Sequence, residues 1–262
     1  MGIKGVYTYR SVNFNNKGFR DYAILTFMLS VLKWNELNGE VIVFGDDFYE
    51  DFLNDYCLYK LPLSFINKFG ESKSDPVFWA GVKIETIEFL DAPFCLLDHD
   101  LIVWQDIRRI ISATEIRSLH YEHLPNPVYP DKSWFIDTYI PDIDWNSLPI
   151  NTSFLSINNQ IYKKKYTNLA LTFIERYRGK PHHTIPMVFA EQRIAGSIFR
   201  HIKDLVLLNE KTIEKQNIIT HLWGYKRALE KSPELELNFC KKIANYIFNT
   251  YYLKVPIIEK YL

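Results

Sequence analysis

The sequence has no surplus of charge, few cysteines and no long apolar run, and each shortage removes a class of function. Its 31 lysines and arginines are balanced by 31 aspartates and glutamates. Without a basic excess to neutralise a phosphate backbone, nucleic acid is not the expected partner. Cys57, Cys95 and Cys240 are odd in number and none stands at metal-ligand spacing. Such a set reads as reduced thiols, which places the protein in the cytoplasm. The apolar stretches break off too early for a transmembrane helix. The opening MGIKGVYTYRS carries no apolar signal core, and Val6 stands where a myristoylation signal needs Ser or Thr.

What the chain has in abundance is aromatic rings: 17 tyrosines, 18 phenylalanines and 6 tryptophans among 262 residues. With 47% hydrophobic residues, this composition predicts a filled core rather than disorder. Most of the rings belong in that core. A minority in loops would offer flat faces on which sugars or bases stack.

Along the chain, short β-favouring runs alternate with helical periodicity. Strands are expected at Ile3–Tyr9, Val41–Phe44, Leu63–Ile66, Pro93–Leu97, Leu101–Trp104, Ile116–His120, Thr152–Ile157 and Asp204–Leu208. Helices are expected over Phe19–Leu37, Phe48–Tyr56, Asp75–Leu90, Asp106–Ser112, Tyr162–Tyr177, around Glu191–Phe199, and near Pro233–Phe248. The alternation implies one α/β domain over 1–262 with a mostly parallel central sheet flanked by helices. A C-terminal helical extension occupies 233–262, and its aromatic tail, NYIFNTYYLKVPIIEKYL, is a candidate for packing on its own domain, a second subunit or a membrane surface. Residues 122–149 lack periodicity and hold five prolines with Tyr129, Trp134, Phe135, Tyr139 and Trp145. A connection of that length is usually functional.

The local signal that carries chemistry is FCLLDHDLIVW, residues 94–104. Two carboxylates one residue apart, just past a buried strand, lie at the sheet edge where open α/β folds bind ligands. Hard cations such as Mg²⁺ or Mn²⁺ prefer such oxygens and bridge to phosphates. The bare pattern is weak, since Asp142-Ile143-Asp144 repeats it in the Pro-rich loop. Alone, Asp98 and Asp100 equally suit a polar turn. Lys83 suits a solvated helix face, Asn151 a turn cap, Glu191 and Gln192 a first helical turn, and His221 a packed histidine.

Five segments in order, WAGVK (79–83), LLDHDLIVW, INTSFLSIN (150–158), AEQRIAG (190–196) and HLWGYK (221–226), give the chain a resemblance to GT-A fold glycosyltransferases. It resembles most the retaining family 8 enzymes of the glycogenin and lipopolysaccharide galactosyltransferase type. The resemblance implies a Rossmann-like GT-A domain that takes a nucleotide diphosphate sugar and a glycan or lipid-linked glycan acceptor, with Mn²⁺ or Mg²⁺ as cofactor. It implies Asp98, Asp100 and His221 on the metal, with Asp98 also near the donor. Lys83, Asn151 and Lys226 would contact the donor, Tyr9 would sit on the donor side after the first strand, and Glu191 and Gln192 would flank the reacting carbon. The chain departs from the family at Tyr9-Arg10-Ser11, where an Asp is usual, and at Glu191, which replaces an Asp. It also has one residue fewer between Gly224 and Lys226.

The 122–149 loop is the expected acceptor side, with Trp134 and Trp145 stacking on sugars and Asp137 bonding hydroxyls. Trp134 and Trp145 could instead fasten the loop to the domain. Two other functions use a similar framework. A binding-only relative would keep the site without acceptor chemistry. A sugar-nucleotide nucleotidyltransferase needs a Gly-rich basic loop after the first strand, and Tyr9–Gly18 offers only Arg10, Lys17 and one glycine.

Overall fold

The computed structural model describes residues 2–11, 19–70, 75–208 and 217–262. Segment 12–18, on which the comparison with nucleotidyltransferase loops rests, and the polar loop after Leu208 lie outside the described residues.

The apolar runs become strands because their alternate residues have two cores to enter. In β4 (Phe94–Leu97), Phe94 and Leu96 join one hydrophobic cluster while Cys95 and Leu97 join the other. β1 (Gly5–Thr8) divides in the same way, Val6 to one face and Tyr7 to the opposite one. Strands covered on both faces read as continuous apolar runs. With β2 (Val41–Gly45), β3 (Ser64–Asn67), β6 (Ile116–Ser118) and β7 (Phe154–Ile157) they form one six-stranded sheet in the order β3-β2-β1-β4-β7-β6. The pairings among β3, β2, β1 and β4 are parallel, whereas β7 runs antiparallel to both β4 and β6. The expected α/β architecture with a mostly parallel, helix-flanked sheet is the one observed.

Two helices dominate one face. α1 (Asp21–Leu37) is buried from Ile24 to Trp34 and lies against α9 (Pro233–Tyr251). Gly5 is required where β1 passes α1, because a Cβ there would stand 2.4 Å from the Trp34 indole nitrogen. α2 (Asp47–Asp55), α8 (Lys226–Lys231) and α10 (Pro256–Glu259) complete this side. Val255, Ile257 and Ile258 are buried in it, and the Tyr261 hydroxyl donates to Asp21 on α1. The aromatic tail thus packs on its own domain. Among the described residues, no helix is long and apolar enough to cross a membrane.

The opposite face carries α3 (Gly81–Phe89) and α5 (Gln160–Arg176), followed by a continuous helical segment of α6 (Ile185–Val188), a π-helical turn (Phe189–Arg193) and α7 (Ile194–Phe199). α4 (Arg108–Ser112) follows β5 (Leu101–Val103), which pairs antiparallel with β8 (Ile219–His221) in a separate ribbon.

Several elements differ from expectation. The periodicity over Asp75–Leu90 breaks into a 3-10 turn (Pro76–Phe78) and α3, since Trp79 and Ala80 turn the chain toward the sheet edge. Asp204–Leu208 is no strand. Asp204 is left-handed at φ 54, and Val206 makes a single bridge with Ser118. The helix expected near Glu191 begins earlier, at Ile185. β8 and α8 have no counterpart in the sequence pattern, while α10 falls within the expected C-terminal helical extension.

Candidate functional site

Beyond the C-terminal edge of β1 and β4 opens a cleft of about 1790 Å³. The chain leaves β4 at Leu97 and turns through Asp98-His99-Asp100 into β5, so both aspartates stand at the cleft floor. The turn is fixed from three sides. Asp98 N donates to Ser153 O at 2.8 Å, Leu101 N to Asp98 O at 3.2 Å, and Leu222 N to Asp100 O at 3.1 Å. The last bond belongs to the β5–β8 ribbon, where Leu101 pairs with His221. That register brings the imidazole over the turn. Ligand atoms of Asp98, Asp100 and His221 all lie within 4.8 Å of one another.

The donor set is two carboxylates and an imidazole. Burial pushes His221 below the ordinary histidine range despite the nearby Asp100 and Asp98. The ring is therefore neutral and carries a lone pair near neutral pH, as a metal ligand must. Burial raises the Asp98 carboxyl, but the Lys83 ammonium, with His221, outweighs it and holds the group ionised below the usual carboxylate range. A divalent cation of the Mg²⁺ or Mn²⁺ kind fits this set.

A lysine attends each aspartate. Lys83 on α3 is hydrogen-bonded to Asp98 and reaches Glu191 Oε1 at 2.8 Å. Burial opposes its charge, but the two carboxylates keep its pKa above that of an ordinary lysine. Thr152 Oγ1 donates to the same Glu191 oxygen at 2.8 Å, and Tyr166 OH donates to the Glu191 carbonyl at 2.9 Å. Glu191, only 4% exposed, sits in the π-helical turn. Such widened turns recur at functional sites. Lys226, at the start of α8, stands 2.7 Å from Asp100 Oδ2, with His221 Nε2 3.6 Å from that atom.

Of the residues singled out in the sequence, Tyr9, Lys83, Asp98, Asp100, Asn151, Glu191, Gln192, His221 and Lys226 all line the cleft. Asn151 Nδ2 donates to Glu122 Oε1 at 2.7 Å, and the Tyr129 hydroxyl donates to Gln192 Oε1. Tyr9 stacks on Tyr49 with centroids 4.6 Å apart. Next to it Phe27, Tyr7 and Tyr49 surround the His99 ring at 5.0, 5.8 and 5.8 Å. His99 Nε2 is buried without a hydrogen bond among the described residues, and burial pushes the imidazole down to about 4. Arg10 is engaged elsewhere, paired with Glu85 through two bonds of 3.0 and 2.6 Å.

Trp134, Asp137 and Trp145 do not line the cleft. Trp134 packs edge-on to Phe135 at 4.7 Å, and Trp145 lies 5.6 Å from Phe189 and under the Arg193 guanidinium, so both rings fasten the loop to the core. Asp137 is exposed. The second Asp-x-Asp closes a turn, with Asp144 accepting from Asn146 N at 3.0 Å. Glu122, Tyr129 and Thr152 contact the predicted residues but were not singled out. Trp79 and Trp223, within the WAGVK and HLWGYK segments, also line the cleft.

A family model described as a family of unknown function, DUF6734, matches residues 8–251 and so encloses every residue of this cleft floor. The chain belongs to that family. No curated protein matches the sequence. Among solved structures, the apo form of mouse xyloside xylosyltransferase 1 is similar at 13% identity and TM-score 0.44, over 79% of this chain and 85% of that one. An active-site mutant of LgtC is similar at 12% identity and TM-score 0.42, over 72% of this chain and 70% of its own. The 4-diphosphocytidyl-2C-methyl-D-erythritol synthase of Anaerococcus prevotii aligns at 14% identity and TM-score 0.39, over 79% and 88%.

Proposed function

We propose that this chain is a metal-dependent glycosyltransferase, moving a sugar from a nucleotide diphosphate donor to a hydroxyl of a glycan or other acceptor. The observation that carries the reading is the convergence of Asp98, Asp100 and His221 beside Lys83, Lys226 and Glu191 in one cleft.

Asp98, Asp100 and His221 would hold the cation, Mn²⁺ or Mg²⁺, which when bound supplies positive charge against the departing diphosphate. Lys83 and Lys226 add an ammonium beside each aspartate, so the phosphates meet positive charge, held in place at Lys83 and able to move to them at Lys226, as the bond from anomeric carbon to oxygen breaks. Charge placed before the reaction lowers the barrier without reorganisation. Glu191 and Gln192 face the carbon on which positive charge grows, and Lys83 and Thr152 hold the Glu191 carboxylate in place. Asn151 binds the donor sugar, and Tyr9, stacked on Tyr49, borders the nucleoside end. The resemblance to retaining enzymes extends the proposal to retention of configuration at that carbon. Its three cysteines are free thiols, in keeping with a cytoplasmic setting.

The test is calorimetry of UDP-glucose, UDP-galactose and GDP-mannose with MnCl₂, on the wild type and on Asp100→Ala. At least one donor binds the wild type and loses tenfold or more in the variant. Equal affinity in both proteins ends the assignment.

A further inference from the structure

Of the six tryptophans, four are buried or half-buried, and the two that are exposed, Trp79 and Trp223, both line the cleft. Trp223 is 77% exposed and Trp79 40%. Large exposed indoles collected at one groove mark a binding surface rather than a packing accident. Both are held outward by their neighbours. Leu222 is buried and bonded to Asp100 O, and Tyr225 packs on Phe239 at 5.9 Å, so the turn between them leaves Trp223 on the outside. Its indole makes no hydrogen bond or ring contact among the described residues. Trp79 is pinned by its Nε1, which donates to His183 O at 3.0 Å, and by a parallel His183 ring at 6.5 Å. Pinning removes the rotamer entropy that a ligand would otherwise have to quench.

The lining of the cleft that both indoles share is rich in hydroxyl-binding groups. Glu122, Asn126 and His120 line it with Tyr121, which is 37% exposed. Glu122 uses Oε1 for Asn151, and Oε2 makes no hydrogen bond among the described residues. A cleft lined both by flat exposed rings and by acceptors and donors suits a molecule with one C–H face and a hydroxyl rim. The C–H face of a pyranose carries slight positive charge toward the negative face of an indole, while its hydroxyls need carboxylate, amide and imidazole partners. A lipid tail would leave those polar groups unpaired at a cost. The cleft is also larger than the 300–1,000 Å³ of an ordinary small-molecule pocket, about 1790 Å³, with room for a second substrate beside a donor.

We propose that Trp79 and Trp223 are the stacking faces of an acceptor subsite and that the acceptor is a saccharide. This rests on the transferase reading for the word acceptor, while the saccharide class rests on the two indoles and their polar neighbours.

A printed array of defined glycans, probed with the full chain in MnCl₂ and UDP, tests it. The wild type binds a subset of the glycans. Trp223→Ala and Trp79→Ala each lower that signal tenfold or more, and Trp→Phe at either position restores most of it. The melting-temperature rise produced by the UDP-sugar with MnCl₂ stays as in the wild type, which also reports that the variants fold. Wild-type signal surviving both alanine substitutions overturns the proposal, as does binding to phosphatidylcholine vesicles with no glycan bound. If the glycan signal behaves as expected but no nucleotide sugar shifts the wild-type melting temperature, the saccharide site stands and the transferase reading falls.

Discussion

Lys83 reaches Asp98 from a helix packed against the sheet, whereas Lys226 reaches Asp100 from the first residue of the short helix α8, just past the two-stranded ribbon. The first lysine is 16% exposed and lies between two carboxylates, one of which also receives Thr152. The second is 39% exposed and has one carboxylate partner. Two chemically alike ion pairs thus have different work. The inner pair is part of the framework, since removing any member leaves charge buried. The outer pair is exchangeable, because an ammonium facing solvent can leave Asp100 Oδ2 when a cation or a phosphate arrives.

The contrast is sharpest in Lys83→Met, which strands Asp98 and Glu191 without a counter-charge. Breaking a buried pair costs about 3–5 kcal/mol, and urea unfolding at pH 7 measures it. A loss under about 1 kcal/mol would erase the distinction between the two pairs.

Next in size is the imidazole between the aspartates. Burial lowers His99 from 6.5 to about 4, so the unfolded chain takes up its proton first as pH falls. Stability from this group is full above 6.5 and is lost as pH drops toward 4, a total of about 3 kcal/mol. Melting curves of wild type and His99→Asn across that window separate this slope from the carboxylates. Parallel curves would remove His99 from the inner framework.

Gly196→Ala probes how the 122–149 loop is held over the inner side. A Cβ there would stand 2.1 Å from Leu148 O, so backbone must move. The expected loss is about 1–3 kcal/mol, read by thermal unfolding, with the Trp145 fluorescence altered. An unchanged melting temperature would mean the loop is not clamped there.

The smallest stability effect belongs to Lys226→Met, under about 1 kcal/mol as for an exposed pair. Its Mn²⁺ affinity, followed by the electron-spin resonance of free ion, rises, because the ammonium no longer competes for Asp100. Weaker or unchanged binding would make the outer pair as fixed as the inner one.

Most of the framework was legible in the sequence. VIVF and FCLL have to be strands because both faces are apolar, and the long helices follow from their periodicity. The cleft floor was legible because two aspartates end a buried strand and because the order of five segments links them to His221. Neither clue alone would have joined residues so far apart. The missed features are tertiary. A π-helical turn at Phe189–Arg193 depends on a bond from Ile194 N to Phe189 O that no side-chain pattern announces. β8 is too short for periodicity and exists because β5 offers an edge. Whether a tryptophan is exposed depends on its neighbours, so the sequence pattern points to the loop rings Trp134 and Trp145, whereas the exposed indoles that line the cleft are Trp79 and Trp223.

The pairing of Leu101 with His221 joins a strand from the middle of the chain to one near its end. A growing polypeptide that has emerged only as far as Leu208 already displays both carboxylates, yet it has no imidazole to set against them. A complete ligand set would therefore wait until β8 has paired with β5 in register. A one-residue slip would turn the ring to the opposite side. On the proposed metal site, ion uptake would then report finished assembly, because a chain without the β5–β8 pairing would lack one of the three ligands.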